Sequence, residues 1–464
     1  MQSVPTELRQ RLSRYGQEHV LAWWDHLDDA QRWELVRQLE GIDFDELSRL
    51  HAQRLHKAVK IDPARIAPLP EATRDDASHS DHHGRGEEAY RGAELAFLVV
   101  AGGQGTRLGF DRAKGIYPIG PITGKSLFQF FAEKVLALQR RFARSFPLLV
   151  MTSPATDAET RQFFAEQRFF GMSEADVWFF CQGTMPALDY NTGKLLLEAP
   201  GRLFQSPNGH GGTLTGLADS GLLHRLAGQG IPTVYYFQVD NPMVNLADFA
   251  FVGQHLARDA EVSTKVLPKT FPTEKVGNVV LLDGKCAIIE YSDLDETLAA
   301  LSDETGRPRL WAANPAIHLF DVAFLRRVTR DAHSMPWHLA HKKVPFMNEQ
   351  GETVTPSHNN ALKFERFIFD VLPLAQRWTV FSTTRAEFAP VKNAEATDSP
   401  ATARAALIDQ AADWLQHAGI SVPRDAEGTP TVPLEVSPLF ALDAEELAAK
   451  VDRTLRIEGP TYLG

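Results

Sequence analysis

Apolar residues in the first sixty positions recur at intervals of three and four, the period of a helix with one buried face. Two stretches carry the pattern, LRQRLSRYGQEHVLAWWDHL and DDAQRWELVRQLEG, and Asp28-Asp29 offers an N-cap for the second. Trp23, Trp24 and Trp33 are read as packing residues of these helices rather than a ligand platform. The periodicity stops at PARIAPLPEATRDDASHSDHHGRGEEAYRG, a stretch rich in Pro, Asp, Ser and His that predicts a loop or linker. His79, His82 and His83 fall there and are read as loop histidines rather than metal ligands.

From about Glu94 the pattern changes to short apolar runs alternating with helical stretches. LAFLVV, PLLVMTS, DVWFFCQ and TVYYFQVD predict strands, while TDAETRQFFAEQRF and LADFAFVGQHLARD predict helices between them. Such alternation implies a mostly parallel sheet covered by helices, hence an α/β fold. In NVVLLDGKCAIIEY, Asp283-Gly284 stands between two apolar runs and predicts a hairpin. A short tail after about Lys392 mixes helix with Pro/Gly-rich loops, and no internal repeat is present.

Composition narrows the class. A chain of 464 residues suggests two or three domains, and 44% hydrophobic with 23% charged residues is ordinary for a globular protein. The net charge of −11 argues against a nucleic-acid coat, which needs a basic surplus, but permits a small anionic substrate held by a few cations. Cys181 and Cys286 are the only cysteines, too few for a disulfide framework, which fits a reducing cytoplasm. No signal-peptide core opens the chain, and no stretch nears the run of about 20 apolar residues that spans a bilayer. The expectation is a cytoplasmic protein with no membrane partner.

The strongest motif is LVVAGGQGTRLGFDRAKGIYPIG, residues 98–120. A buried strand runs into Gly102, Gly103, Gly105 and Gly109, where glycine lets backbone N–H groups approach a ligand. Arg107 and Lys114 add fixed cations, and together these suit a polyphosphate. The dinucleotide fingerprint fails because Leu108 occupies the place of its third glycine. GPITGKS, at 120–126, is one residue short of a P-loop and has no strand leading into it.

AGGQGTRLG followed by KG resembles the nucleotide loop of the UDP-sugar pyrophosphorylases, and specifically the eukaryotic-type UDP-N-acetylglucosamine pyrophosphorylases. EYSDL, NPAIHLF, HLAHKKVPF, KFERFIFDVL, FAPVKNAEATDSPATAR and EVSPLF resemble family segments in the same order, so the similarity covers nearly the whole chain. The resemblance implies a helical N-terminal region (1–90), a Rossmann-like nucleotidyltransferase domain with a mixed, mostly parallel sheet (91–390) and a small C-terminal domain (391–464). It also implies UTP and a sugar 1-phosphate as substrates, a UDP-sugar and pyrophosphate as products, and Mg²⁺, or Mn²⁺ in its place, as cofactor.

Residue by residue, the resemblance gives Gly102 and Gly103 backbone contacts to uracil and ribose, and assigns Arg107 and Lys114 to the β,γ-phosphates. Gln182 matches a glutamine that reads uracil, and Gly209 lies in a second glycine loop against the base, with His210 beside it. Asp240, at the end of YYFQVD, is placed to hold Mg²⁺; its simpler reading is an N-cap for the segment that follows. Gly277 and Glu290 match positions that contact sugar hydroxyls, and Asn314 one beside the 2-substituent. Phe367 and Phe369 match aromatics near the sugar, although i, i+2 spacing in an apolar stretch is equally what packing gives. Lys392, in PVKNA, matches a lysine that reaches the phosphates.

Two departures bear on the sugar. The second loop reads Pro207-Asn208-Gly209-His210-Gly211-Gly212 where the acetylglucosamine enzymes usually carry P-D-G-N-G-G, and Gly-His-Gly is closer to the glucose 1-phosphate and broad-specificity enzymes. Phe110-Asp111-Arg112-Ala113 replaces a stretch in which Pro before the Lys is common. These leave the reaction type intact and keep a glucose or galactose 1-phosphate enzyme as an alternative. A UDP-sugar-binding regulator without catalysis is the alternative of another class. It would show as a missing cation or metal ligand, whereas Arg107, Lys114, Asp240 and Lys392 are all present.

Overall fold

The computed structural model describes residues 3–55, 61–70, 82–330 and 335–464. The chain divides into two compact units that interleave along the sequence. The smaller takes Met1–Val59, Gly183–Gly212 and Met335–Ile368, and the larger takes the rest. Neither 90/91 nor 390/391 coincides with a change of unit.

In the smaller unit, helices α1 (Thr6–Arg14), α2 (Asp29–Glu40) and α3 (Phe44–Gln53) bury Leu8, Leu12, Leu35, Leu39, Phe44 and Leu47. Their core continues through Leu188, Leu197, Leu203, Leu362 and Phe364. Asp28 caps α2 in a reciprocal box with Gln31, as its position ahead of the apolar period implies. The first predicted helix is cut short: α1 stops at Arg14, Gly16 turns left-handed, and only 3₁₀ turns follow at Glu18–Leu21 and Trp24–His26. Trp24 is buried and Trp23 packs into the space that Gly351 leaves free, but Trp33 is 66% exposed and packs no core.

The larger unit is built on a sheet of eleven strands. It contains β1 (Ile66–Pro68), helix α4 (His83–Arg91), β2 (Leu95–Val100), α5 (Leu127–Phe142), β3 (Leu148–Thr152), α6 (Asp157–Glu166) and β4 (Val177–Cys181). β2, β3, β4 and the Thr233–Gln238 strand are mutually parallel and almost wholly buried, which explains their unbroken apolar runs. The other half of the sheet is mostly antiparallel, so the sheet is mixed. Asp283 and Gly284 both take positive φ in the expected two-residue hairpin.

The segment read as a linker holds more structure than its composition suggests. β1 pairs with the Asn278–Leu282 strand, and His83–Arg91 forms α4, whose Gly86 lets it sit against the Phe249 backbone. His83 packs edge-on against Phe249, whereas His79 lies outside the described residues. GPITGKS is a docking turn: Glu435 accepts the Ile122 and Thr123 N–H groups, and Lys125 is buried against Glu133 and Ser437.

Candidate active site

The first glycine loop leaves the C-terminal end of β2, among the sheet's parallel strands, the edge at which α/β sheets generally bind ligands. The loop is closed on itself: Lys114 N–H donates to Gly103 O at 3.0 Å, and Gly105 N–H to Arg112 O at 2.9 Å. Glu159 on α6 pins its return, accepting from Ala113 N–H (2.8 Å) and the Arg112 guanidinium (2.7 Å). Ser153 Oγ donates to Gly102 O at 2.7 Å. Neither Glu159 nor Ser153 carries a sequence signal, because each acts on backbone from a distant element.

Within this frame the glycines divide by cause. A Cβ on Gly102 would strike the Gln182 amide, and one on Gly105 would come within 2.7 Å of Phe110 O. Gly109 closes the Thr106–Leu108 turn with φ 66°. Gly103 faces open space, so nothing in the protein itself demands a glycine there. Arg107 is exposed on the Thr106–Leu108 turn. Gln182 is only 5% exposed, and its Oε1 has no hydrogen-bond partner among the described residues.

Asp240 lies two residues beyond the Thr233–Gln238 strand, in a turn. The Lys114 ammonium is 3.7 Å from its carboxylate, so a cation and an acid from different segments meet at one strand edge. The helix that follows is capped by Asp248, not Asp240. Lys392 comes from the C-terminal side: Val391 N–H donates to Asp240 O at 2.8 Å, and the Lys392 ammonium lies 3.4 Å from Asp398. Among the described residues no group of three His, Cys, Asp or Glu side chains is placed to hold a metal.

Gly277, Glu290 and Asn314 lie together in the structure. A Cβ on Gly277 would lie 3.3 Å from Glu290 Oε1 and 3.5 Å from Asn314 Cβ, and Asn314 N–H donates to Gly277 O at 2.9 Å. The Asn314 side chain accepts from Ala316 N–H through Oδ1, which leaves its Nδ2 to point elsewhere. Phe369 is buried, only 5% exposed.

The second glycine loop belongs to the smaller unit. Gly209 takes φ 81°, and a Cβ there would run into the Arg366 carbonyl; one on Gly211 would come within 2.6 Å of the same backbone. Arg366 N–H donates to Asn208 O, and Gly211 N–H to Arg366 O, both at 2.8 Å. His210 stacks on Phe367 at 5.3 Å, and its Nδ1 accepts from Ile368 N–H at 3.1 Å, which requires that nitrogen to be unprotonated. Burial, reinforced by the nearby His338, pushes the His210 pKa down to about 4.

Residues 43–443 match the family described as UTP–glucose-1-phosphate uridylyltransferase. UDP-N-acetylglucosamine diphosphorylase 2 of Arabidopsis thaliana is 36% identical, over 95% of this chain and 91% of its own. UDP-N-acetylglucosamine pyrophosphorylase of Saccharomyces cerevisiae is 33% identical, over 90% and 92%. Among solved structures, the uridine diphosphate N-acetylglucosamine pyrophosphorylase of Trypanosoma brucei superposes with a TM-score of 0.80 at 30% identity, covering 97% of this chain and 95% of that one. A UDP-glucose pyrophosphorylase of Leishmania major shares the fold at 16% identity, with a TM-score of 0.62 over 92% and 86% of the two chains. This chain belongs to the UTP–glucose-1-phosphate uridylyltransferase family.

Proposed function

We propose that the protein transfers the uridylyl group of UTP to N-acetylglucosamine 1-phosphate, giving UDP-N-acetylglucosamine and pyrophosphate. The observation that carries the nucleotide half is the Gln182 amide, buried against Gly102 with its oxygen unsatisfied. A buried acceptor left unpaired costs about 1–3 kcal/mol, and the N–H of a uracil ring would relieve it. For the sugar half, the Gly277–Glu290–Asn314 cluster offers a carboxylate for hydroxyls and an amide N–H for an acetamido oxygen. The acetylglucosamine activity named for the relatives at 33–36% identity supports the same choice.

The chemistry needs no general base. A sugar 1-phosphate has its second pKa near about 6 and is a dianion at neutral pH. Its oxygen attacks the α-phosphorus of UTP in line; the new P–O bond forms as the bond to the bridging β-oxygen breaks, and pyrophosphate leaves. The obstacle is anion repulsion, so catalysis is positioning and electrostatics. Arg107 and Lys114 take the β- and γ-phosphates, and Lys392 neutralises the incoming phosphate.

Asp240 suits Mg²⁺, or Mn²⁺ in its place, because such ions use one or two carboxylates together with substrate phosphate oxygens rather than an all-protein cage. The bound ion would supply charge neutralisation at the α-phosphate and leaving group. No described helix is long and apolar enough to cross a membrane, and the sparse cysteines support a cytoplasmic setting.

The glucose 1-phosphate reading rests on His210, and the stacking of that ring on Phe367 gives it a packing task that needs no sugar. Pyrophosphate release should be followed with UTP and Mg²⁺ plus N-acetylglucosamine 1-phosphate, glucose 1-phosphate, galactose 1-phosphate or no sugar. The expected result is release that depends on the first. Equal or faster release with glucose 1-phosphate would overturn the sugar assignment. No release with any, despite UTP binding, would favour the regulator.

A further inference from the structure

Lys392 lies in a stretch with little regular structure. Between the end of the Trp378–Ser382 strand and the helix beginning at Pro400 stand a 3₁₀ turn at Arg385–Glu387 and a local turn in which the Lys392 and Asn393 N–H groups both donate to Asp398 O, at 2.6 and 2.9 Å. A lysine that meets a phosphate must nevertheless be held to within a fraction of an ångström, since a misplacement of about 1 Å can cost a hundredfold in rate. The bonds to Asp398 shape the turn that carries Lys392, and contacts from outside the stretch must hold that turn against the body of the unit.

We infer that Asn241, the residue after Asp240, is a positioning residue that registers the Lys392 segment against Asp240. Its side chain is 2% exposed and bridges to the segment at two points. Nδ2 donates to Glu387 O at 2.8 Å, and Oδ1 accepts from Ala389 N–H at 3.1 Å. The same Oδ1 accepts from Met243 N–H at 3.3 Å, which fixes the amide's own orientation. Val391 N–H on Asp240 O, at 2.8 Å, completes a run of three bonds from residues 387, 389 and 391 to two consecutive residues. That is the spacing of a strand edge, with a side-chain amide standing in for a partner strand.

The far end of the segment is anchored by charge. Glu387 reaches Lys265 at 2.6 Å, and Lys265, fully buried, also meets Asp248 at 2.5 Å. Asp248 caps the Phe249–Ala257 helix, so the anchor is tied to the body of the unit. Asn241 therefore acts on the reaction through Lys392, without touching a substrate itself.

This inference rests on the phosphate role given to Lys392, and a double-mutant cycle separates the two. Asn241→Ala should lower kcat at least tenfold while the KM for UTP changes less than threefold. In a Lys392→Ala background the same change should lower kcat less than twofold, because the group being positioned is already gone. Equal fold-losses in both backgrounds, with Lys392→Ala itself slow, would overturn the inference and leave the role of Lys392 standing. Near-normal turnover of Lys392→Ala would overturn both. If Asn241→Ala does not fold, Asn241→Asp takes its place under the same criterion, since it keeps the acceptor for the Met243 and Ala389 N–H groups and loses the donor to Glu387 O.

Discussion

The two glycine loops look alike in sequence and differ in what their glycines are for. In the first, Gly103 has open space where a Cβ would stand, while Gly102 meets the buried Gln182 amide. In the second, Gly209 and Gly211 are pressed on the backbone of Arg366, and the loop is threaded to it by two hydrogen bonds. Gly105 and Gly109 serve the loop's own turn, but at Gly103 the first loop leaves room that its fold does not use. The second spends its glycines on being folded at all. A glycine-rich motif is thus not one signal but two, and only the surroundings of each Cβ tell them apart.

The contrast can be broken by substitution. The largest effect belongs to the first loop's cations: Arg107→Ala and Lys114→Ala should each lower turnover a hundredfold or more, about 2.7–4 kcal/mol, with thermal unfolding unchanged. Near-normal turnover in either would remove its phosphate role. Next is Gly209→Ala, which adds a left-handed non-glycine residue to a contact with Arg366 O and should destabilise the protein by about 2–4 kcal/mol in urea unfolding. An unchanged midpoint would show the second loop to be as open as the first.

Acid sharpens the comparison further. His210 is held neutral with a pKa near 4, below the 6.5 of an unfolded histidine, so the unfolded chain binds more protons between those values. Its contribution is full above pH 6.5 and is lost as pH falls toward 4, by at most about 1.4 kcal/mol per pH unit for a half-buried ring. His210→Gln should flatten the stability profile in that window, and an unaltered slope would mean that the ring is not held neutral. The smallest effect is predicted for Gly103→Ala, whose stability should stay within about 0.5 kcal/mol of wild type while the KM for UTP rises. A KM that does not move would mean that no ligand comes close to this position.

Much of this arrangement was legible in the chain. The four buried parallel strands and the Asp283-Gly284 hairpin follow from apolar runs and turn chemistry, because both signals are local. No spacing rule brings together residues as distant as Lys114 and Asp240, or Gly277, Glu290 and Asn314, and the last three were singled out only by resemblance. What stayed hidden depends on tertiary context. Gly16 ends α1 inside an apolar period, and α4 forms at the end of a segment whose Pro, Asp, Ser and His content reads as loop. Trp33 looks like core by type and is exposed, while Phe369, equally apolar, is buried. Glu159 and Asn241 support the site by binding backbone, a role that leaves no trace in residue type.

The most direct test of uridylyl transfer is phosphorus NMR of the enzyme with UTP, Mg²⁺ and N-acetylglucosamine 1-phosphate. The account predicts that the three UTP resonances and the sugar phosphate decline together, while UDP-sugar and pyrophosphate signals rise in equal amounts. UTP consumed at the same rate without the sugar, or UTP left intact in its presence, would contradict it.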